Sequence, residues 1–261
     1  MIDQLHYLLA ALSGVAVGFS LGLVGGGGSI LAVPLMVYVV GVKSPHIAIG
    51  TSALAVAVNA LAGLANHARA HNVNWRCGGT FAAAGVIGAL GGSTLGKAVN
   101  GESLLFLFAL LMLVVAAAMY RSRDREGPET VTCNRDNLGK VLSYGVGTGA
   151  LSGFFGIGGG FLIVPGLVAS TSMAIHRAIG TSLVAVSAFG LATAANYAFS
   201  GLIDWPLAAV FIGGGIAGSV IGTAASQRLS ARKGQLTTVF SVIIVTVALY
   251  MLVQSGMALA Q

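Results

Sequence analysis

Two similar glycine-rich stretches decide the fold of this chain. Residues 21–41 read LGLVGGGGSILAVPLMVYVVG, and residues 151–170 read LSGFFGIGGGFLIVPGLVAS. Consecutive glycines are poor helix and strand formers, because glycine loses more backbone freedom on folding than any other residue. A second glycine-rich stretch about 131 residues later therefore indicates that these glycines have a role other than forming a helix.

The composition indicates a membrane protein. Of 261 residues, 56% are hydrophobic and only 8% are charged, against about 25% charged in soluble domains. Uncharged stretches such as residues 4–42, 77–96 and 178–203 reach the roughly 20 residues that a helix needs to cross a bilayer. The alternating pattern of a strand barrel is absent. The sequence predicts an all-α polytopic membrane protein whose main partner is the lipid bilayer.

Charge and cysteines exclude several other classes. The start, MIDQLHYLL, has no positive leader and no small-residue cleavage site, so we expect a first span and not a removed signal. The net charge of +6 sits in short loops, where basic residues orient helices, and no nucleic-acid binding is expected. Cys77 and Cys133 lack metal or CxxC spacing, so we expect free thiols, no metal and no cofactor.

The chain contains an internal repeat. Residues 25–29 align with residues 156–160, and the motif IGTS, preceded by a histidine, occurs at 49–52 and again at 179–182. Agreement in the same order over most of each half predicts two homologous units. We place an N-terminal transmembrane repeat at 1–121, a charged cytoplasmic linker at 122–137 and a C-terminal transmembrane repeat at 138–261.

Five helical segments are predicted in each half. They are 4–24, 29–42, 46–68, 76–97 and 103–121 in the first half, and 138–155, 160–171, 176–198, 205–228 and 233–254 in the second. If all ten cross, eleven of the thirteen basic residues fall on one side and leave only Lys43 and Lys97 on the other. Basic loops stay in the cytoplasm, so this topology places both termini outside the inner (plasma) membrane.

The alternative topology lets the two short segments enter and leave by the same face. The thirteen basic residues then divide seven to six, with no bias, so we favour ten segments. The fold class is then eight long spans plus two short, glycine-broken segments. Five segments per half is an odd number, which predicts that the second repeat is inverted relative to the first.

The short segments explain the glycines. A helix over residues 30–42 would reach only about 20 Å, so the preceding loop must dip into the membrane. Irregular backbone survives there only if it is buried in protein or lines a wet cavity. Free N–H groups and the positive helix end make such a loop an anion site, although glycine could instead serve close packing alone. The predicted substrate-binding residues are Gly25, Gly26, Gly27, Gly28, Ser29, Gly156, Gly158, Gly159 and Gly160.

Hydroxyls follow in the third and eighth segments. Thr51, Ser52, Thr181 and Ser182 could offer neutral donors to an oxyanion, and we include them among the substrate-binding candidates. The alternative is that they hydrogen-bond the backbone one turn back, as Ser and Thr often do in membrane helices. The residues alone leave this choice open.

Other polar residues are candidates for the path or for coupling. His46 and His176 begin the third and eighth segments and could titrate near neutral pH, or simply mark helix starts. Asn66 and Asn196 could touch substrate, but tying helices together is the favoured role. Arg177 could attract an anion or anchor the topology.

No enzyme chemistry is expected. The sequence has neither GxSxG nor HExxH, and its spans lack buried acids that could act with a nucleophile. A secondary carrier of a small anion is the leading prediction. A passive channel is a less favoured alternative.

The paired glycine segments followed by proline, together with the twice-occurring IGTS after a histidine, carry a resemblance to a known family. The chain resembles the TauE/SafE sulfite exporter family, also called the toluene-sulfonate uptake permease family, over about residues 10–255. The resemblance implies a membrane transporter of sulfite, sulfoacetate or other organosulfur anions. It does not imply equal sites in the two halves, because the first reads GGGGS and the second GIGGG.

Overall fold

The computed structural model describes residues 2–122, 133, 135–228 and 233–259. These ranges are helical apart from short connections. The helices are α1 Ile2–Val24, α2 Ala32–Pro34, α3 Pro45–Arg69, α4 Trp75–Ala98, α5 Gly101–Ser122, α6 Arg135–Phe155, α7 Gly160–Thr171, α8 Ile175–Ala198, α9 Trp205–Arg228 and α10 Lys233–Leu259.

The prediction of an all-α polytopic membrane protein is confirmed. Within the described residues, seven helices are long and apolar enough to cross a membrane, and two shorter apolar helices lie at 28–40 and 160–171. The other long helix, α6, has 21 residues. Helix starts follow local signals: Pro45 opens α3, and the Asn74 side chain caps α4 by accepting from the Cys77 N–H at 3.1 Å.

The segment from Gly25 to Val40 differs from the continuous helix predicted over 29–42. It consists of a 3-10 helix, Gly25–Leu31, the three-residue α2, and a π-helix, Leu35–Val40. We call residues 25–40 the broken segment. Glycines remove the eclipsed side chains that normally disfavour a 3-10 helix. Pro34 lacks an N–H and its ring crowds the carbonyl one turn back, which interrupts a regular α-helix.

Close helix pairs build the body of the protein. α1 packs along α9, α4 along α6, α5 along α10, and α3 along α8 in the centre. Small residues let the backbones approach: a Cβ on Gly88 would overlap the Val146 carbonyl of α6, and a Cβ on Gly218 would overlap the Val15 carbonyl of α1. These contacts are typical of membrane helix packing through small residues.

The expectation of free thiols is wrong. Cys77, in the first turn of α4, forms a disulfide with Cys133, a residue of the linker before α6. Both residues are buried. Their sequence separation of 56 gives no recognisable motif, so the pairing is seen only in the structure.

Candidate functional site

The second glycine stretch forms a tight turn between α6 and α7. Gly156, Gly158 and Gly159 have φ values of +66°, +65° and +67°. This left-handed backbone conformation is open to glycine and strained for most other residues. We call residues 156–159 the glycine turn, and the sequence supplies glycine wherever the turn needs a positive φ.

The glycine turn lies deep inside the bundle. A Cβ on Gly158 would stand 2.9 Å from Val56 Cγ1 and 3.6 Å from Val186 Cγ1. These valines lie near the middle of α3 and α8, the two central helices. The turn therefore sits at mid-height in the protein, and its residues are buried.

The glycine turn presents hydrogen-bond donors. It leads directly into the 12-residue helix α7, whose N-cap is Gly159. The N–H groups of Gly160 and Phe161, the first two helical residues, have no partner within the helix. The ladder begins at Leu162, whose N–H donates to the Gly159 carbonyl at 2.9 Å. Such a buried helix start, with its positive dipole end, favours a negatively charged group.

The first glycine stretch does not repeat this geometry. Gly25, Gly26, Gly27 and Gly28 continue α1 as a 3-10 helix, so the expected non-helical loop is wrong for this half. Gly28 packs against the backbone of α1, and Ser29 is fully buried. The 3-10 helix contacts α7 and α8, so both stretches meet the same central helices. Substrate binding by this stretch stays a prediction.

The two IGTS motifs make a matched pair of hydrogen bonds. The Thr181 hydroxyl accepts from the Asn74 N–H at 3.0 Å, and the Thr51 hydroxyl accepts from the Asp204 N–H at 3.0 Å. Asn74 and Asp204 precede α4 and α9. Each threonine therefore ties a central helix to the start of a helix from the other half.

The serines of IGTS bond to their own helices. Ser52 Oγ donates to the Ala48 carbonyl at 2.6 Å, and Ser182 Oγ donates to the Ile179 carbonyl at 2.7 Å. This is the backbone-bonding alternative raised for these hydroxyls. All four IGTS hydroxyl side chains are fully buried. Their part in substrate binding stays a prediction.

Asn196 joins two helices. Its side-chain amide donates to Ser93 Oγ at 2.6 Å and Thr94 Oγ1 at 3.0 Å on α4. Its Oδ1 accepts from Lys97 Nζ at 2.8 Å. These bonds link α8 firmly to α4.

The other candidates for the path lie near helix ends. His46 is half-buried at the start of α3, and its Nδ1 is buried without a partner among the described residues. Arg177, in the first turn of α8, and Asn66, in the last turn of α3, are also half-buried. The side chain of His176 lies outside the described residues. Any role of these residues in the path stays a prediction.

A cavity of about 360 Å³ opens at one end of the bundle. It lies between the starts of α1, α3 and α9, and Lys43 is the one lysine or arginine that the described part of the chain contributes to its lining. Asp204 also lines it, and the Asp204 N–H donates to the Thr51 hydroxyl. The lining residues are His6, Tyr7, Val40, Val42, Lys43, Ser44, Ile47, Asp204 and Leu207.

Sequence reasoning missed several buried polar side chains, of which Ser152 and Asn59 lie on helices that line the centre of the bundle. Ser152, in α6, and Asn59, in the middle of α3, are 0% exposed, and their side-chain polar atoms have no hydrogen-bond partner among the described residues. Asn59 faces Gly215 of α9. Each is a single polar residue within an apolar span, which the sequence does show. The sequence does not show whether such a side chain is buried or exposed, and that information was needed to single these two out. The described residues hold no cluster of His, Cys, Asp and Glu suited to a metal ion.

The fold defines a multi-pass helical membrane protein. The family model described as "Sulfite exporter TauE/SafE" matches residues 10–251. The chain therefore belongs to the TauE/SafE family, as its paired motifs indicated.

Relatives cover almost the whole chain. A "Probable membrane transporter protein" of Xylella fastidiosa (strain Temecula1) is 51% identical over 253 residues, which are 95% of each chain. A protein of the same description from Methanocaldococcus jannaschii is 26% identical, over 95% of this chain and 98% of its own. No solved structure matches the chain.

Proposed function

We propose that this protein is a secondary carrier that moves small sulfur-containing oxyanions, such as sulfite or an organosulfonate, out of the cell. The observation that carries the proposal is the glycine turn at mid-height between α3 and α8. It offers neutral N–H donors and a positive helix end in the buried interior of the bundle. Neutral donors hold an anion without the deep electrostatic trap of a buried cation.

Alternating access between two inverted repeats is the proposed mechanism. The repeat offset of about 130 residues relates α1 to α6 and α4 to α9. The same offset therefore relates the observed pair α1·α9 to the observed pair α6·α4. The bonds Thr51–Asp204 and Thr181–Asn74 are related in the same way. Such a two-fold relation supports rocking of one unit against the other around a central site.

The proposed orientation follows the basic residues. Lys43 and Lys97 lie at one end of the bundle: Gly101, next to the α4–α5 connection, packs on Pro45 beside Lys43. Arg76 lies at the other end, next to the disulfide residue Cys77. Because the ten-segment topology puts eleven of the thirteen basic residues on the side of that second end, we assign it to the cytoplasm.

Flux into proteoliposomes tests the function. Purified protein is reconstituted and supplied in turn with sulfite, thiosulfate, taurine, sulfoacetate and sulfate, with protein-free liposomes as the control. We expect saturable uptake of at least one sulfur oxyanion or sulfonate. If none moves faster than in the control, the proposed cargo class is wrong.

Reporter fusions test the topology. A reporter attached to Gln261 should be active only outside the cytoplasm, whereas one inserted within residues 123–132 should be active only inside it. Cytoplasmic activity at Gln261 would contradict the ten-segment arrangement.

A further inference from the structure

Ser152 carries a hydroxyl that the fold of the protein leaves unused. It lies in α6 one turn before the glycine turn, and its carbonyl accepts from the Ile157 N–H at 3.2 Å. Its side chain is 0% exposed, and its Oγ has no partner among the described residues. Burying a hydroxyl without a hydrogen bond costs free energy, so such a group calls for an explanation.

The hydroxyl lies directly against the glycine turn. A Cβ on Gly159 would stand 2.5 Å from both Cβ and Oγ of Ser152. Gly159 is the N-cap of α7, so the hydroxyl is next to the residue from which the free N–H groups of Gly160 and Phe161 follow. A hydroxyl donor and backbone donors are thus gathered at one buried helix start.

The first repeat lacks this arrangement. Gly28 aligns with Gly159, and Leu21 aligns with Ser152. Gly28 has no positive φ and packs on Ser20 and on the backbone of Leu21. The Ser20 hydroxyl already donates to the Ala16 carbonyl at 2.9 Å, so it is not an unused donor. The donor set is therefore a property of the second repeat alone.

We propose that the Ser152 hydroxyl, together with the N–H groups that open α7, forms the anion-binding site of the carrier, and that this site takes a small singly charged oxyanion. The inference rests on the proposed function and deepens it. Among the described residues, the side chains nearest to a Cβ built on the glycines of the turn are those of Ile49, Val56, Val186 and Ser152, and none of these is cationic. A dianion buried without a cationic partner is far more costly than a monoanion, because the desolvation penalty rises steeply with charge.

Replacement of the hydroxyl gives the first test. Ser152→Ala removes an unpaired buried group, so folding should be unaffected or slightly improved. Losing a hydrogen bond to a charged ligand should raise the KM for the transported anion by about tenfold or more. The matched control is Ser187→Ala, since Ser187 is also buried but its hydroxyl already donates to the Leu183 carbonyl at 2.8 Å. Its KM should stay at the wild-type value.

Charge selectivity gives the second test. Methanesulfonate, a monoanion, should compete with the transported substrate in wild-type protein, and sulfate, a dianion, should compete at least about tenfold less well. Ser152→Ala should lose most of the competition by methanesulfonate. Equal competition by the two anions would overturn the assignment to a singly charged ligand.

A labelling experiment covers the case in which Ser152→Ala fails to fold. Ser152→Cys is made in a background with Cys77→Ser and Cys133→Ser, and substrate should slow its alkylation by a maleimide. An unchanged KM in Ser152→Ala, or no protection of the cysteine in a variant that transports, would overturn the site while leaving the carrier function intact. Absence of flux in wild-type protein would instead reject the carrier function itself.

Discussion

Lys97, in the last turn of α4, is hydrogen-bonded to Asn196 near the C-terminal end of α8. Its Nζ lies 2.8 Å from Asn196 Oδ1 and 3.0 Å from the Asn196 backbone carbonyl. It also donates to Ser200 Oγ at 2.8 Å. A cation at a helix C-terminus complements both the free carbonyls and the helix dipole. The lysine therefore stabilises the contact between α4 of the first half and α8 of the second half.

Lys97→Met should destabilise the protein by about 1–3 kcal/mol, because it removes charged hydrogen bonds and leaves Asn196 under-satisfied. Thermal unfolding in detergent measures the loss. Lys140→Met, which changes an exposed lysine at the start of α6, is the control and should have little effect. Equal stability of the two variants would show that this contact contributes nothing.

Thr51→Val and Thr181→Val should each cost about 1 kcal/mol, because each leaves the N–H before a neighbouring helix without its acceptor. The two losses should be similar, since the two bonds have the same length of 3.0 Å. Chemical or thermal unfolding compares them with Thr246→Val, whose hydroxyl donates only to the Val242 carbonyl of its own helix. A clear loss in the control and none in the IGTS variants would contradict this role of the two threonines.

Gly159→Ala should abolish transport while protein still reaches the membrane. The new Cβ would enter the space held by Ser152, and the residue would keep a positive φ. Gly201→Ala separates these effects, because Gly201 has φ +68° but a Cβ added there would meet no atom within 4 Å. That control should suffer only a backbone cost of about 1 kcal/mol and retain flux. Normal flux in Gly159→Ala would exclude the turn from the path.

Lys43→Ala should raise the KM for anion uptake from the side on which the cavity opens, by about threefold to tenfold. Among the described residues, Lys43 is the one lysine or arginine lining that 360 Å³ cavity, and a partly screened positive charge raises the local anion concentration. Lys43→Arg should restore the KM, and added salt should diminish the difference between variants. An unchanged KM at low salt would show that anions do not pass this cavity.

Breaking the disulfide should lower the unfolding temperature of oxidised protein. Closing a loop with a sequence separation of 56 corresponds to about 4 kcal/mol in the chain-entropy model, as an upper value. Reductant should therefore destabilise the wild type and leave the double variant Cys77→Ser, Cys133→Ser unchanged. Thiol labelling in intact cells adds a second readout. Because the Cys77 end is assigned to the cytoplasm, where thiols are kept reduced, both cysteines should react there, and resistance to labelling until reductant is added would contradict that assignment.

The sequence predicted the helices well and the broken segment poorly. A long apolar segment in lipid forms a helix because its backbone N–H and C=O groups must bond to each other. The ends of α3, α7 and α9 were accordingly predicted to within one residue. The broken segment escaped prediction because 3-10, α and π turns differ only in the hydrogen-bond partner of each N–H. Which of these helix types forms depends on how the glycine backbone packs on α1. The spacing of apolar residues in the sequence carries no information on that packing.

The candidate site was predicted in part. The glycine turn was found because glycine in consecutive positions before a short helix has few other uses. Ser152 was missed, since one serine in an apolar helix resembles the back-bonding serines such as Ser52. Only the lack of a partner among the described residues sets it apart. The disulfide was missed because the spacing of Cys77 and Cys133 gives no recognisable motif.

The close pairing of α1 with α9 and of α4 with α6 has a consequence for biogenesis. α1 leaves the ribosome long before its partner α9 has been synthesised, so it must wait in the bilayer with its glycine face uncovered. Neither half contains the neighbours that would complete its own packing. Fragments cut within the linker should therefore assemble only when they are co-expressed, each acting as the folding template of the other.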